Sequence, residues 1–172
     1  MPSDSRRLDY DIIYEVIEDG SRVLDLGCGN GDLLYLLARD KNAKVQGIEF
    51  NDEAIYRCVK KGLSVFNSDI ESGLVEYPDQ SFDYVILNQS MQEVMKVDFI
   101  IHEALRVGGK VIVGFPNFAH IAARLRLYFQ GRAPMTKALP HYWYDTPNVR
   151  SLSIADFREF CKKKNIRVLK AY

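Results

Sequence analysis

Three glycines alternate with other residues where an apolar run meets a helical pattern, in the segment Val23–Gly31. Glycine at positions 27, 29 and 31 lets the chain turn tightly and brings backbone N–H groups close to a ligand, because no Cβ stands between them. The spacing is G-x-G-x-G, and Asp32 stands where the third glycine of the dinucleotide fingerprint G-x-G-x-x-G would be. The turn therefore predicts a ligand site between a strand and a helix, but not one built for a pyrophosphate.

Carboxylates on both sides of this turn indicate the charge of the ligand. Asp25 leads into the turn, and Asp32 opens the helix that follows. Two like charges there disfavour an anionic ligand and favour a cationic one. S-adenosylmethionine carries an ammonium and a sulfonium group and has no phosphate, so we expect this cofactor, with S-adenosylhomocysteine as its product form. A nicotinamide-dependent reductase is correspondingly disfavoured.

Two further acidic residues stand at the ends of predicted strands. Glu49 lies in the last part of the second strand, where a carboxylate can accept hydrogen bonds from both ribose hydroxyls of a nucleoside. Asp69 follows the third strand, where it can accept a hydrogen bond from an adenine amino group while Ile70 packs on the ring. Because open α/β sheets bind ligands at the carboxyl ends of their strands, we expect Asp25, Glu49 and Asp69 in one site.

The elements that must position these residues alternate between short β-branched runs and helical runs, as in βαβ units with a mainly parallel sheet. We predict an α/β, Rossmann-like fold with a twisted sheet and helices on both faces. The predicted strands are Arg22–Leu26, Lys44–Phe50, Leu63–Asn67, Phe82–Asn88, Lys110–Phe115 and Arg167–Tyr172. The predicted helices are Asp9–Glu18, Asp32–Arg39, Asp52–Lys61, Asp98–Arg106, Ala119–Phe129 and a last one from its cap Ser153 to about Lys163, with Asp156 in a capping box; Glu71–Gln80 is predicted to be a loop.

Composition and charge limit the class of protein. The chain has 172 residues with 23 basic and 23 acidic side chains, which argues against a nucleic-acid partner held by phosphate neutralisation. Three cysteines without a C-x-x-C pair and three scattered histidines fit neither a disulfide framework nor a metal site. No apolar secretory region opens the chain, and no apolar stretch is long enough to cross a bilayer. We therefore expect a cytoplasmic protein with one domain, residues 1–172.

Three strings outside the turn carry a more specific resemblance. They are DYVILNQS at 83–90, FPNF at 115–118 and TKALPHYWYDTPN at 136–148. From Leu24 onward the chain resembles the class I S-adenosylmethionine-dependent methyltransferases, and these strings are similar to those of the methionine biosynthesis protein MetW family. The resemblance implies a role in methionine biosynthesis beside a homoserine O-acyltransferase of the MetX type, and it leaves the methyl acceptor open.

The same resemblance implies contacts to the cofactor, with Asn88 beside its methionine part. The full set of expected cofactor-binding residues is Asp25, Gly27, Cys28, Gly29, Gly31, Glu49, Phe50, Asp69, Ile70 and Asn88. Methyltransferases of this class finish on an antiparallel hairpin of a sixth and a seventh strand. This chain ends on the predicted sixth strand, so we expect an incomplete hairpin and an exposed sheet edge.

No catalytic residue is assigned at this stage. The string NQSM at 88–91 lacks the [DN]-P-P-[YF] pattern, which argues against methylation of nucleic-acid bases or glutamine. Glu93 would act as a general base only if it were buried, and an exposed position at the start of a helix is favoured. Positioning alone carries much of a methyl transfer, so catalysis stays open.

The segment of about residues 116–151 is longer than a strand-to-helix connection needs. Either it covers the cofactor edge as a lid, or it is a docking face, for which Trp, Tyr and Arg are typical anchors. Two functions remain open: a MetW-like cofactor-binding protein that acts with the acyltransferase, and a methyltransferase of an unidentified small molecule without that partner. The aromatic and basic residues of the segment are Phe118, Arg124, Arg126, Tyr128, Phe129, Arg132, Lys137, Tyr142, Trp143 and Tyr144.

Overall fold

The computed structural model describes residues 7–136 and 139–172. Within these ranges, residues 7–114 form one compact unit and the described residues from Phe115 onward form a second. The expectation of a single domain stays a prediction. The described helices are α1 Leu8–Val16, α2 Asp32–Lys41, α3 Asp52–Lys60, α4 Ile70–Gly73, α5 Val97–Val107, α6 Ile121–Gln130 and α7 Ile154–Lys163. The described strands are β1 Arg22–Leu26, β2 Lys44–Glu49, β3 Ser64–Asn67, β4 Phe82–Asn88 and β5 Gly108–Gly114.

The strands of the first unit form one parallel sheet in the order β3-β2-β1-β4-β5. This confirms the predicted doubly wound α/β architecture. The chain first steps outward from β1 to β2 and β3, then returns to place β4 on the other side of β1. In such sheets the crevice beside the carboxyl ends of the two strands at this switch point is where ligands bind. The fold therefore directs attention to the ends of β1 and β4.

Apolar side chains cover both faces of this sheet. On one face, a core formed by α1, α2, β1 and β4 contains Ile13, Leu37, Val23 and Ile86, all of them buried. Neighbouring strand residues point to the opposite face, where the side chain of Val85 lies against the Gly108 backbone and the end of α5. Burial on both faces explains why the strands are nearly continuous apolar runs in the sequence.

The short region after β3 differs from its prediction. The sequence predicts a loop over Glu71–Gln80, but Ile70–Gly73 forms one helical turn, α4. The Asp69 side chain caps this turn by accepting a hydrogen bond from the Glu71 N–H at 2.8 Å. An aspartate before four residues without proline is enough to start such a turn.

The second unit contains α6 and α7. The capping box predicted for α7 is confirmed: Ser153 Oγ accepts from the Asp156 N–H at 3.2 Å, and the Asp156 carboxylate accepts from the Ser153 N–H at 3.0 Å. Phe157 on α7 packs edge-on against Phe115, with their ring centres 5.4 Å apart. Lys137 lies outside the described residues.

The predicted sixth strand is contradicted by the structure. Arg167–Tyr172 has strand-like composition, but it forms no strand and is exposed throughout. A strand exists only through backbone hydrogen bonds to a neighbouring strand, and the five strands of the described sheet do not include these residues. Among the helices described here, none is long and apolar enough to cross a membrane.

Candidate functional site

The turn after β1 keeps its shape only with glycine. Gly27 and Gly31 have φ angles of +76° and +72°, in the left-handed region that favours glycine. A Cβ on Gly31 would lie 2.5 Å from Leu63 Cδ1 and 2.8 Å from Cys58 Sγ, and one on Gly27 would lie 2.9 Å from the Cβ of Ser90. The turn is therefore packed by α3 and the residue before β3 on one side and by the segment after β4 on the other.

Asp25 is a buried carboxylate at the end of β1. It is 3% exposed, and its Oδ1 accepts no hydrogen bond from any residue that the structure describes. Burial raises the pKa of Asp25 to about 7, and the negative charge of Glu49 raises it in the same direction. A buried acceptor without a donor costs free energy, and such groups are concentrated at binding and catalytic sites.

Glu49 is the second buried carboxylate, and both of its oxygens accept backbone hydrogen bonds. Oε2 accepts from the Gly29 N–H at 2.9 Å, and Oε1 accepts from the N–H groups of Phe50 and Asn51 at 3.0 and 2.9 Å. The bond from Gly29 joins the end of β2 to the middle of the glycine turn, and the other two hold the carboxylate over the residues that follow β2. Asp25 and Glu49 thus form the like-charged pair of the site.

Asp32, which the sequence placed in this pair, has a different environment. Its carboxylate is largely exposed and forms an ion pair with Lys61 Nζ at 2.5 Å. Lys61 also donates to the carbonyl of Asn30 at 2.6 Å, so the two contacts fasten the start of α2 to the end of α3. The preference of the site for a cation therefore depends on Asp25 with Glu49 more than on Asp25 with Asp32.

The end of β4 adds further buried oxygen atoms. Asn88 Oδ1, Ser90 Oγ and Gln92 Oε1 have no hydrogen-bond partner among the described residues. Asn88 Oδ1 lies 2.3 Å from where a Cβ of Gly114 would be, so it occupies space that only a glycine leaves on β5. Ser90 Oγ lies 3.6 Å from the corresponding position on Gly27 and thus faces the turn. Oxygen atoms that lack donors suit a ligand that carries N–H or O–H groups.

The first turn of α1 belongs to this region, although the sequence did not indicate it. Asn88 Nδ2 donates to Asp9 Oδ2 at 2.8 Å, and Arg7 forms an ion pair with the same oxygen at 2.6 Å. Burial raises the pKa of Tyr10, the positive charge of Arg7 opposes this shift, and the negative charges of Asp25 and Asp32 add to it. The signal in the sequence was an Arg and an Asp two positions apart, a pattern too common to single out.

Three further predicted site residues, Cys28, Phe50 and Ile70, contribute to the region of the glycine turn in different ways. Cys28 is buried, and its Sγ lies 2.5 Å from where a Cβ of Gly47 would be, so it packs beneath the turn. Burial raises the pKa of its thiol well above the ordinary range. The Phe50 side chain is exposed, and its contribution to the site is the N–H that binds Glu49. Ile70 Cδ1 lies 3.2 Å from the Cβ position of Gly27, beside the turn.

Asp69 is exposed at the start of α4, where one oxygen caps the helical turn. Glu93, considered as a general base, is exposed as well. Gln92 beside it is the buried residue, held by a bond from its Nε2 to the Gln89 carbonyl at 2.8 Å. The cofactor-contact roles of all ten expected residues stay predictions.

A cleft at the opposite edge of the sheet is a weaker candidate. It has a volume of about 490 Å³ and lies at the amino ends of β1, β4 and β5. Ion pairs between Arg22 and Asp83 at 2.8 Å and between Lys110 and Glu18 at 3.1 Å occupy its charged groups. Because parallel sheets bind ligands at their carboxyl ends, the glycine turn is the better site. Within the described ranges, no group of His, Cys, Asp and Glu side chains could hold a metal ion.

Comparisons with known proteins show the family of the chain. The model of the family described as methionine biosynthesis protein MetW matches residues 7–172. The chain is 37% identical over 177 residues to the bifunctional methionine biosynthesis protein MetXA/MetW of Rhodopirellula baltica, covering 96% of this chain and 28% of that relative. It is 29% identical over 107 residues to 27-O-demethylrifamycin SV methyltransferase of Amycolatopsis mediterranei, covering 55% of this chain and 38% of that relative. The chain thus spans well under half the length of these two curated relatives.

A solved structure supports the fold assignment. An S-adenosylmethionine-dependent methyltransferase from Archaeoglobus fulgidus superposes with a TM-score of 0.70 at 19% identity, covering 95% of this chain and 68% of that one. At this level of identity the likeness concerns the fold alone. The fold is that of the class I methyltransferases, as the resemblance implied.

The buried Asp25 carboxylate predicts a stability that depends on pH. Its pKa rises from 3.8 to about 7, so between these values the folded protein holds a proton that the unfolded chain has released. The free energy of unfolding therefore falls as pH rises through this window. Above pH 7 the folded protein bears the full cost of a buried, ionised Asp25. Asp25→Asn should raise the melting temperature of the ligand-free protein at pH 8 by about 2–4 °C for each kcal/mol recovered, and by much less near pH 4. Thermal unfolding at both pH values measures this difference.

Asp19→Asn is the matched control, because the Asp19 side chain is 83% exposed. It should not reproduce the gain at pH 8. If Asp25→Asn lowered the melting temperature equally at both pH values, the assignment of Asp25 as a buried carboxylate whose ionised form is destabilising would be contradicted.

Proposed function

Because the chain belongs to the methionine biosynthesis protein MetW family, we propose that it binds S-adenosylmethionine at the carboxyl ends of β1, β2 and β4 and acts in methionine biosynthesis with a homoserine O-acyltransferase of the MetX type. The observation that carries the cofactor assignment is the buried Asp25 carboxylate, whose Oδ1 has no donor among the described residues. The name of the bifunctional relative supports the partner assignment.

The residues present fit this cofactor. Asp25 would bind a cationic group, since a nearby positive charge lowers the cost of its ionised form. Glu49 would accept from the ribose hydroxyls, and its three N–H donors keep the carboxylate in place for that role. When bound, S-adenosylmethionine supplies a methyl group that its sulfonium makes electrophilic.

The same charges disfavour a dinucleotide. A pyrophosphate at the glycine turn would lie close to Asp25 and Glu49, which are both buried and gain little screening from water. The third position of the dinucleotide fingerprint is Asp32, which pairs with Lys61. The site is therefore proposed for a ligand without phosphate.

Methyl transfer to a small molecule is a second candidate function. Ser90 Oγ and Gln92 Oε1, which are buried in the segment just after β4 without donors from the described residues, favour it. They could orient an acceptor that carries a hydroxyl or an amine, and positioning of this kind contributes several kcal/mol to a transfer between two bound groups. A general base is not needed for an acceptor that is already nucleophilic.

The partner is proposed to dock on the aromatic residues of the second unit. Trp143 is 77% exposed and stands edge-on to Tyr144 at 5.6 Å, and Tyr144 stacks on Tyr142 at 5.3 Å. On α6, Tyr128 and Phe129 are also exposed. Exposed aromatic residues in contact with one another are typical anchors of protein interfaces.

Calorimetric titration with S-adenosylmethionine and S-adenosylhomocysteine tests the cofactor assignment. We expect the wild type to bind with micromolar affinity and Asp25→Ala to bind at least about tenfold more weakly, because the variant loses a buried carboxylate that faces a cation. Glu53→Ala, which removes an 87% exposed carboxylate on α3, should bind as the wild type does. Absence of binding to both ligands by the wild type would overturn the cofactor assignment.

Capture of a purified homoserine O-acyltransferase by this protein tests the partner assignment. Trp143→Ala and Arg132→Ala should each weaken the complex, by about thirtyfold for a Trp anchor. Tyr56→Ala is the control, because Tyr56 is a 60% exposed aromatic residue on α3 in the first unit. Unchanged capture by both variants would exclude the proposed docking face, and no capture by the wild type would contradict the partnership.

A further inference from the structure

A chain of side-chain bonds connects the end of β4 to the first turn of α1. Asn88 Nδ2 donates to Asp9 Oδ2 at 2.8 Å. Arg7 donates two hydrogen bonds to the same carboxylate, from Nη2 to Oδ2 at 2.6 Å and from Nε to Oδ1 at 3.1 Å. Bidentate pairs of this kind fix the plane of the guanidinium as well as its position.

The side chains of this hydrogen-bonded series position one another, from Asn88 to Asp9 and from Asp9 to Arg7. The Asn88 amide has a defined orientation, because the ionised Asp9 carboxylate only accepts hydrogen bonds and the Asn88 Oδ1 lies beside Gly114. Asp9 is therefore fixed from one side by a strand residue, and it fixes Arg7 in turn. The Tyr10 ring supports the guanidinium from another side, with the Arg7 Cζ 4.7 Å from the ring centre.

The guanidinium retains donors for a second anion. The fork to Asp9 uses Nε and Nη2, whereas an arginine has five N–H donors on two usable edges. The Arg7 side chain is 54% exposed, so a ligand can reach the remaining edge.

The amino-acid end of S-adenosylmethionine carries an ammonium and a carboxylate. The buried carboxylates of the site suit the ammonium, but they would repel the carboxylate unless a cation stood beside it. We propose that Arg7, positioned by Asp9 and Asn88, binds the carboxylate of the amino-acid end, and that it thereby makes the site selective for ligands that keep this group. The inference rests on the proposed binding of S-adenosylmethionine.

Two thioether ligands without a sulfonium charge test the contact between Arg7 and the carboxylate by itself. S-adenosylhomocysteine keeps the amino-acid end, whereas 5′-methylthioadenosine has the same adenosine and sulfur and lacks it. In Arg7→Ala, the affinity for S-adenosylhomocysteine should fall about ten- to hundredfold, as expected for a lost charge-assisted contact, and that for 5′-methylthioadenosine should change less than about twofold. Arg7→Lys should recover part of the lost affinity, because lysine keeps the positive charge but cannot donate two parallel hydrogen bonds as a guanidinium does. Calorimetry with both ligands gives the ratio of affinities.

Arg39→Ala is a closely matched control. Arg39 is 57% exposed, pairs with Asp40 and lies 5.8 Å from the Tyr35 ring centre, and it stands at the far end of α2 from the glycine turn. It should leave both affinities unchanged. Asp9→Asn tests the positioning step and should lower the ratio of the two affinities in the same direction as Arg7→Ala.

The outcomes separate this inference from the proposed function. An equal loss of affinity for both thioethers in Arg7→Ala would mean that Arg7 only stabilises the fold, and it would overturn the inference. Unchanged affinity for S-adenosylhomocysteine would overturn it as well. If the wild type binds neither S-adenosylmethionine nor S-adenosylhomocysteine, the proposed function itself is wrong, and the inference is wrong with it.

Discussion

Two carboxylates lie side by side, buried, at the carboxyl edge of a parallel sheet, and the rest of the structure accommodates them. Glu49 is stabilised by three backbone N–H groups, one of which the glycine turn supplies. Asp25 has no comparable set of donors, and its ionised form is the costly one. The apolar clusters that α1, α2 and α3 form against the sheet provide the stability that makes such a cost tolerable.

The geometry of the turn follows from this constraint. Gly29 must bring its N–H to Glu49, and the residues on either side of it must reverse the chain within a few ångströms of α3 and β4. Left-handed backbone angles at Gly27 and Gly31 achieve this, and a side chain at either position would overlap with its neighbours. The buried carboxylates thus give the site its negative charge, and the need to bring the Gly29 N–H to Glu49 leaves the turn without bulky side chains. Both favour a cationic ligand that approaches the backbone closely.

Much of this arrangement could be predicted from the sequence because its signals are local. The glycine spacing located the turn, the apolar run at Phe82–Asn88 gave β4 with its observed bounds, and Ser153 with Asp156 gave the start of α7. Contacts between residues distant in sequence were not predictable in this way. The bond between Asp9 and Asn88 depends on how α1 lies over the sheet, and the pairing of Asp32 with Lys61 depends on how α2 meets α3. The sixth strand failed for the same reason, since composition at Arg167–Tyr172 cannot supply a hydrogen-bonding neighbour.

The measurement that tests the central claim most directly is the number of protons released when S-adenosylmethionine binds. Calorimetry at pH 6.5 in two buffers of different ionisation enthalpy gives this number. A cation bound beside Asp25 should lower its raised pKa, so the wild type should release up to about one proton per cofactor, and Asp25→Asn should release fewer. Equal proton release by the two proteins would contradict the account, because the buried carboxylate would then have no part in binding the cofactor.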